Sequence, residues 1–219
     1  MLKQELNHSQ TSFLTADWAA PAHVKTLITT RQGGVSEGVY HSLNVGAHVG
    51  DQAERVAANR AWVQQHVSVP IAYLNQVHSP DVVQAVSSLS SPATADASVD
   101  YTGQAACAVM TADCLPVLLC DRAGTVVAAA HAGWRGLAAG ILEQTVIAMK
   151  VPPTEIMAYL GPAIGAEAFE VGQDVWDAFC SQYPAAQSAF TSIGQDKYLA
   201  DIYALARLVL QGVGVSQIS

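Results

Sequence analysis

Charged side chains are scarce in this sequence of 219 residues, which has 10 Lys and Arg against 18 Asp and Glu and a net charge of −8. The basic residues form no stripe that could neutralise a phosphate backbone, so we expect no nucleic-acid partner. The chain also lacks an apolar run of the roughly 18–20 residues that span a bilayer, and residues 1–12 contain no apolar stretch typical of a signal peptide. These absences predict a cytoplasmic protein that does not enter a membrane.

Cysteine is also scarce, and its spacing shows no pairs. The four cysteines are Cys107, Cys114, Cys120 and Cys180. Three of them fall in apolar or helical contexts, where a free thiol behaves as a small apolar side chain. The sequence therefore predicts no disulfide framework.

Apolar residues are plentiful, because 51% of the chain is hydrophobic and the mean hydropathy is +0.24, which is enough for a generous core. The length fits one domain and no internal repeat is evident. We predict a single domain over residues 1–219, with residues 1–12 as a loosely held N-terminal segment. Strand-like and helical patterns mix without strict alternation, which favours the α+β class, a mixed β-sheet core covered by helices.

Hydrophobic periodicity and turn-forming residues predict the elements of this fold. Strand-like runs cover residues 71–78, 82–86, 105–110, 115–120, 125–130 and 155–160. Helical patterns cover residues 52–66, 137–150, 173–183 and 201–211. Pro116 must lie at a strand start or an edge, because it cannot donate to a ladder. Asp51 followed by Glu54 indicates a capping box that opens the first helix. Residues 87–97 are low in large apolar side chains and predict a surface loop.

A long ordered loop is predicted between residues 29 and 51, because this stretch is rich in glycine and keeps neither helical nor strand periodicity. A loop of this length inside a compact domain is uncommon unless it builds a site. Arg31, Asn44 and His48 are therefore candidate site residues. The glycines of the loop are equally consistent with simple turns.

Two histidines and one cysteine lie where strand-like runs end or break. His78 and His131 follow apolar runs, and Cys114 stands between two such runs with Asp113 beside it. Two imidazoles and one thiolate with a fourth position open are a recurrent catalytic zinc arrangement. The alternative is that the histidines are satisfied core residues and the cysteine is inert, and spacing alone favours that interpretation.

The sequence contains five unusual blocks in a fixed order, TRQGGVSEGVYHSLNVGAHVGD, NQVHSPDVV, TADCLPVLLCD, AAAHAGWRG and LGPAIGAEAFEVG. Together they resemble the YfiH-like family, also called the multicopper polyphenol oxidase or laccase-domain family, from about residue 29 to residue 213. The resemblance implies a mixed α/β fold with a mononuclear zinc site whose ligands are His78, Cys114 and His131.

The resemblance also implies a purine nucleoside enzyme. Members of the family are described as performing phosphorolysis of adenosine, inosine and methylthioadenosine, and adenosine deamination. The implied partners are a purine nucleoside and phosphate. An older label is copper-dependent polyphenol oxidase, and a bacterial member is linked to peptidoglycan editing. Relatives usually continue with a further cysteine-bearing, Arg-rich segment, so we expect a longer product to place another arginine or aromatic near the pocket.

Deamination needs a proton shuttle beside zinc, which lowers the pKa of its bound water to about 7. Asp113 and His48 are candidates for the shuttle, and the alternative role for Asp113 is to orient a metal ligand.

Phosphorolysis needs a site for an anion. Residues 133–136 open a predicted helix and offer backbone N–H groups, with Arg135 as a phosphate clamp and Arg31 as a second candidate. The alternatives are a structural ion pair for Arg135 and simple packing for Trp134.

Two further interpretations use the same residues. A multicopper oxidase needs many more ligands than seven histidines supply, and a single blue-copper site would need Met110 as a weak axial ligand. A metal-free cysteine hydrolase would use Cys114 as nucleophile, His131 or His78 as base, and Asp113 or Asn44 to orient the base. A non-enzymatic partner-binding protein of an envelope pathway is the remaining alternative.

Overall fold

The computed structural model describes residues 13–219, which form two compact units. The smaller unit contains the described residues 13–16 and 25–71, and the larger unit contains residues 17–24 and 72–219. Both helices and mixed β-sheets are present, which confirms the α+β class. The single domain over residues 1–219 stays a prediction, and residues 1–12 lie outside the described part of the chain.

The secondary structure of the described residues includes short strands, five α-helices and several short 3-10 helices. The strands are β1 (Ile71–Ala72), β2 (Val82–Gln84), β3 (Ala97–Asp100), β4 (Ala106–Cys107), β5 (Leu115–Asp121), β6 (Val127–Ala132), β7 (Ile156–Leu160), β8 (Glu170–Gly172), β9 (Phe190–Gly194), β10 (Lys197–Ala200) and β11 (Gln217–Ile218). The helices are α1 (Ala53–Gln64), α2 (Trp134–Ala138), α3 (Ile141–Met149), α4 (Gln173–Cys180) and α5 (Ile202–Gly212). Within residues 13–219, none of these helices has the length and apolar character needed to cross a membrane.

A six-stranded sheet with the order β11-β7-β5-β6-β3-β2 forms the centre of the larger unit. β5 pairs antiparallel with β6 and β7, and β6 pairs antiparallel with β3. The outer pairs β2/β3 and β7/β11 are parallel. β5 and β6 are apolar along most of their length because the core covers both of their faces. Pro116 is the second residue of β5, which agrees with its predicted place at a strand start.

Helices α3, α4 and α5 supply most of the remaining core. Ile141, Phe179 and Leu205 are at most 1% exposed, and each such side chain stabilises the fold by about 1.5–3 kcal/mol on burial. A second, antiparallel sheet has the order β8-β10-β9. Asp201 caps α5 by accepting hydrogen bonds from the backbone N–H groups of the second and third helical residues.

The turn between β5 and β6 is closed by a buried carboxylate. Asp121 accepts hydrogen bonds from the backbone N–H groups of Thr125 and Val126 and from the Thr125 hydroxyl. These hydrogen bonds give the backbone N–H groups of the turn partners that water would otherwise have to supply. They also favour the charged form of the carboxyl group.

The helix predicted over residues 137–150 is instead two helices. α2 ends at Ala138 and α3 begins at Ile141, and the break falls at Gly140, whose φ of +98° lies in the left-handed region. Glycine adopts this conformation at little cost in energy, so the chain can end one helix there and begin the next in a different direction. The strand predicted over residues 71–78 is also shorter, because β1 ends at Ala72.

The smaller unit contains α1 and the long loop predicted between residues 29 and 51. Asn59 on α1 is 1% exposed, and its amide donates to the carbonyl oxygens of Ser42 and Asn44 and to the Ser36 hydroxyl. Its side-chain oxygen accepts from the backbone N–H of Val35. One buried amide therefore holds three parts of the loop.

The predicted capping box at Asp51 is wrong. Gln52 occupies the N-cap position of α1, and no side-chain hydrogen bond caps the helix. The Asp51 carboxylate instead accepts from the Ser36 hydroxyl and the Asn44 amide. Its other oxygen accepts from the backbone N–H of Gln52, so Asp51 links the loop to the start of α1 without capping the helix.

Candidate metal centre

The β5/β6 ladder brings Cys114 and His131 together. In its register Leu115 pairs with Ala132 and Pro116 pairs with His131, so Cys114, which precedes β5, lies beside the end of β6. The strand predicted over residues 125–130 actually runs two residues further, to Ala132. His131 is therefore inside the ladder and only 4% exposed.

His78 lies on a loop rather than at the end of a strand. Its φ of +62° is in the left-handed region, which costs a residue with a β-carbon about 1–2 kcal/mol. The backbone N–H groups of Val77, His78 and Ser79 all donate to the carboxylate of Asp96, at 3.0, 2.9 and 2.7 Å. These three charge-assisted hydrogen bonds offset the strain of the loop.

Asp96 also holds the second histidine. Its Oδ1 accepts a hydrogen bond from Nδ1 of His131 at 2.7 Å, and its backbone oxygen accepts from the N–H of His131, also at 2.7 Å. Asp96 immediately precedes β3, which pairs with β6, and it is fully buried. With Nδ1–H directed at Asp96, the other ring nitrogen of His131 is the one directed at an ion.

The three side chains converge within the dimensions of a metal site. Nε2 of His78 and Sγ of Cys114 are 3.9 Å apart, and the ligand atoms of His78, Cys114 and His131 all lie within 4.8 Å of one another. A tetrahedral ion bound at about 2.0 Å to nitrogen and about 2.3 Å to sulfur keeps its ligands roughly 3.3–3.6 Å apart. The three ligand atoms are slightly farther apart than this, so small side-chain rotations would bring them to metal-binding distances.

The Asp96–His131 pair carries opposite charges when no ion is bound. Burial raises the pKa of Asp96, but hydrogen bonds from His131 and from three backbone N–H groups outweigh it and lower the pKa to about 2. Burial lowers the pKa of His131, but the hydrogen bonds to Asp96 and Cys114 outweigh it and raise the pKa to about 9. A metal ion must displace a proton from this imidazole, so its affinity should decrease as the pH falls.

Gly133 leaves the space that the group needs. A Cβ atom at this position would lie 2.8 Å from Cδ2 of His78 and 2.9 Å from Sγ of Cys114. Contacts this short do not occur between real side chains. Any other residue at position 133 would push the His78 ring or the Cys114 sulfur out of place.

Gln76 connects the loop of His78 to the segment that precedes Cys114. Its side-chain amide donates to the carbonyl oxygen of Met110 and accepts from the N–H of Met110, both at 2.8 Å. This pairing satisfies both backbone groups of one residue and fixes the distance between the two loops.

The donor set fits a transition metal. Two imidazoles and a thiol suit zinc or copper, and the carboxylate of Asp96 supplies the partner that metal-binding histidines normally have. His78 is exposed and Cys114 half-buried, so one side of the group is accessible. Among residues 13–219 this is the group of three His, Cys, Asp or Glu side chains placed closely enough to hold a metal ion.

Two other predicted residues lie close in sequence to the group. Asp113 is exposed, with a φ of +78°, and its carbonyl oxygen accepts from the N–H of Ile164. Arg135 is exposed and its guanidinium lies 4.2 Å from the ring centroid of Trp134. The ion pairs found between residues 13 and 219 do not include Arg135, and Trp134 packs against the core.

Arg31, Asn44 and His48 lie in the smaller unit. The guanidinium of Arg31 donates two hydrogen bonds to the carbonyl oxygen of His41, and the Asn44 amide donates to Asp51. His48 is exposed. The polar groups of Arg31 and Asn44 thus order the loop that carries them.

Asp96 and Gln76 are absent from the sequence-based set of site residues, and Gly133 was expected there only as a backbone N–H donor to an anion. Residues 87–97 were expected to form a surface loop, but this expectation is wrong at the C-terminal end, where Asp96 is fully buried and β3 begins at Ala97. A signal was available, because a metal-binding histidine needs a carboxylate or carbonyl partner and an aspartate before an apolar run can supply it. Nothing in the sequence identifies which aspartate does so.

Comparisons with known families and sequences show which proteins the chain is similar to. Residues 25–219 match the family described as multi-copper polyphenol oxidoreductase laccase. The chain is 51% identical over 207 residues to a protein of Escherichia coli K12 named purine nucleoside phosphorylase YfiH. It is 50% identical over 208 residues to a Pseudomonas aeruginosa protein that is also named purine nucleoside phosphorylase. Each match covers 94% of this chain and 85% of the relative.

Solved structures are similar as well. A crystal structure of a Neisseria meningitidis protein superposes with a TM-score of 0.93 at 68% identity, covering 94% of this chain and 85% of that one. The Bacillus licheniformis protein YfiH superposes with a TM-score of 0.79 at 28% identity, covering 89% and 81% of the two chains.

Proposed function

Because the chain belongs to the multi-copper polyphenol oxidoreductase laccase family, we propose that it is a zinc-dependent purine nucleoside phosphorylase that also deaminates adenosine. The observation that carries this proposal is the accessible His78, Cys114 and His131 group in a chain half identical to proteins named purine nucleoside phosphorylase. In the proposal these three residues hold the ion.

Bound zinc would supply Lewis-acid chemistry at neutral pH. In phosphorolysis a phosphate oxygen bonds to C1′ of the ribose while the bond from C1′ to the purine nitrogen breaks, and the departing base takes up a proton. In deamination water adds to C6 of adenosine and ammonia leaves with the added proton. Both reactions need a group that moves a proton and a group that binds an anion or a polar substrate edge.

Asp113 is proposed to move that proton, because it is exposed and directly precedes Cys114 in sequence. Arg135 is proposed to bind phosphate, since the residue is exposed and follows Gly133 by two positions in the sequence. Stacking on Trp134 would keep this guanidinium in one orientation. A fixed guanidinium binds the oxygens of phosphate more strongly than a freely rotating one.

Arg31, Asn44 and His48 are proposed as further substrate and proton-transfer residues. Their support is the ordered loop on which they lie, since Asn59 donates to the backbone carbonyl oxygen of Asn44 and Asp51 accepts from the Asn44 side-chain amide. A cytoplasmic location is also proposed, because all four cysteines are free thiols, which is the rule in a reducing compartment.

The test is a product analysis on zinc-loaded protein. Adenosine and inosine are incubated with and without phosphate, and adenine, hypoxanthine, inosine and ribose 1-phosphate are separated. We expect free base only with phosphate, and inosine from adenosine without it. Cys114→Ala should abolish both activities, whereas Cys107→Ala, a thiol outside the group, should retain them. Wild-type protein that forms no product would remove the nucleoside proposal.

Copper-dependent phenol oxidation is the second candidate, favoured by the description of the family. An oxidase with several coppers needs several ligand groups, and residues 13–219 offer the single group described above. Oxygen consumption by copper-loaded protein with a phenol decides this point. The metal-free cysteine hydrolase is decided separately, because stoichiometric zinc that protects one thiol from a thiol reagent would exclude it. The non-enzymatic partner-binding role predicts that Cys114→Ala leaves cellular function intact.

A further inference from the structure

Asp96 is joined to two of the three proposed metal ligands, His78 and His131, and its side chain meets both through Oδ1. Oδ1 accepts from Nδ1 of His131 and from the backbone N–H of His78. Oδ2 accepts from the N–H groups of Val77 and Ser79. The two oxygens thus receive four hydrogen bonds between 2.7 and 3.0 Å, which uses the full acceptor capacity of a carboxylate.

We infer that Asp96 is the positioning residue of the metal centre, setting both the nitrogen that His131 presents to the ion and the place of the His78 loop. The inference rests on the proposed metal-binding function of His78, Cys114 and His131. Because Asp96 is fully buried, water cannot replace any of its four hydrogen bonds.

An amide in place of the carboxylate breaks this arrangement whichever way it is oriented. If the nitrogen replaces Oδ1, it faces the N–H groups of His131 and His78, and the imidazole must reverse its tautomer to be satisfied. If the nitrogen replaces Oδ2, it faces the N–H groups of Val77 and Ser79 and the loop is released. Each orientation therefore displaces at least one of the two histidine ligands.

Asp100 offers a matched control at the other end of β3. It is 3% exposed, and its carboxylate accepts from the backbone N–H groups of Thr102 and Gly103 and from the Thr102 hydroxyl. Asp100→Asn removes a comparable set of hydrogen bonds from a carboxylate at the opposite end of β3. It contacts none of the proposed metal ligands through those hydrogen bonds, so it reports the structural cost alone.

The experiment measures Zn²⁺ affinity by competition with a chromophoric chelator for wild type, Asp96→Asn and Asp100→Asn. Thermal unfolding of the three proteins is recorded in parallel. We expect Asp96→Asn to bind Zn²⁺ about 10–100-fold more weakly, as is typical when the partner of a metal-binding histidine is lost. Asp100→Asn should lower the unfolding temperature and leave the Zn²⁺ affinity within a factor of about two of wild type.

A second measurement needs no variant and so stands if Asp96→Asn fails to fold. Wild-type protein carrying ¹¹³Cd and ¹⁵N-labelled histidine should show scalar coupling from the metal to Nε2 of His131 and a proton on Nδ1. Coupling to Nδ1 would overturn the inference. Equal Zn²⁺ affinity of Asp96→Asn and Asp100→Asn would also overturn it, while leaving the metal centre standing. Wild-type protein that binds no Zn²⁺ would overturn both the inference about Asp96 and the proposed metal centre.

Discussion

Replacing Gly133 with alanine adds one methyl group at the point where the three proposed ligands meet. The backbone itself accepts the change, because Gly133 has φ −64° and ψ 155°, a conformation open to any residue. The new Cβ would lie 2.8 Å from Cδ2 of His78 and 2.9 Å from Sγ of Cys114. The perturbation therefore acts on the site and leaves the chain path unstrained.

The size of the effect follows from these distances. The two contacts must lengthen by about 0.6 and 0.5 Å to reach ordinary van der Waals separation of 3.4 Å. Metal sites tolerate about 0.2 Å in their ligand distances. Without metal the exposed His78 ring can turn away, so the overpacking strain of about 1–3 kcal/mol falls on the metal-bound state. At about 1.4 kcal/mol for each factor of ten, the affinity for Zn²⁺ should fall roughly 10–100-fold.

The assay is chelator competition for Zn²⁺, with the absorption of the Co²⁺-substituted protein reporting the thiolate bond. Gly172→Ala is the matched control, because Gly172 is also the N-cap of a helix and its Cβ would meet only the exposed side chain of Asp174, which can rotate. The control should bind Zn²⁺ like wild type. Gly133→Ala with unchanged Zn²⁺ affinity and an unchanged Co²⁺ spectrum would refute the crowding argument.

Three further outcomes are expected. Burial raises the pKa of the Asp121 carboxyl group, but the hydrogen bonds it accepts outweigh burial and lower the pKa below 3.8. The charged carboxylate therefore stabilises the fold above pH 3.8, and this stabilisation is lost as the pH falls through the lower folded-state pKa. The free energy of urea unfolding of Asp121→Asn should accordingly depend less on pH in the acid range than that of wild type. Asn59→Leu should lower the free energy of unfolding by about 1–3 kcal/mol for each buried polar group left unpaired, and it should speed amide hydrogen exchange across residues 31–51. Unchanged exchange would contradict the role of Asn59 in ordering the loop. Gln76→Leu should speed labelling of Cys114 by a thiol reagent in zinc-loaded protein, and a wild-type rate would count against the coupling of the two loops.

The fold was predictable where local pattern and tertiary environment agree. Strands β5, β6 and β7 are continuous apolar runs bounded by turn formers, and burial on both faces selects that pattern. The hairpin strands β9 and β10 were not predicted, because both are short, FTSIG is mostly exposed and KYLA is only partly buried. The break at Gly140 was not predicted either, since a glycine inside a helical pattern is compatible with either continuation or a turn.

The site was predictable in part for a similar reason. Cys114 and His131 could be brought together by reasoning about strand ends, and the β5/β6 register agrees with that reasoning. The place of His78 could not be derived, because its loop depends on hydrogen bonds to Asp96, 18 residues further along the chain. Local propensity would not hold a histidine in the left-handed region without those bonds.

The proposed metal ligands and the residues that position them are not equally easy to recognise in a sequence. Thiols and imidazoles are rare here, with four cysteines and seven histidines, so three of them where strand-like sequence runs end or break attract notice. Aspartate, glutamine and glycine are common, and what distinguishes Asp96, Gln76 and Gly133 is distance and burial. A chain that kept all three proposed ligands but lost Asp96 would retain every metal-binding motif and still bind zinc weakly. The ligand motif therefore predicts which side chains would hold a metal ion, whereas the inferred role of Asp96 implies that the binding strength depends on residues that the motif does not contain.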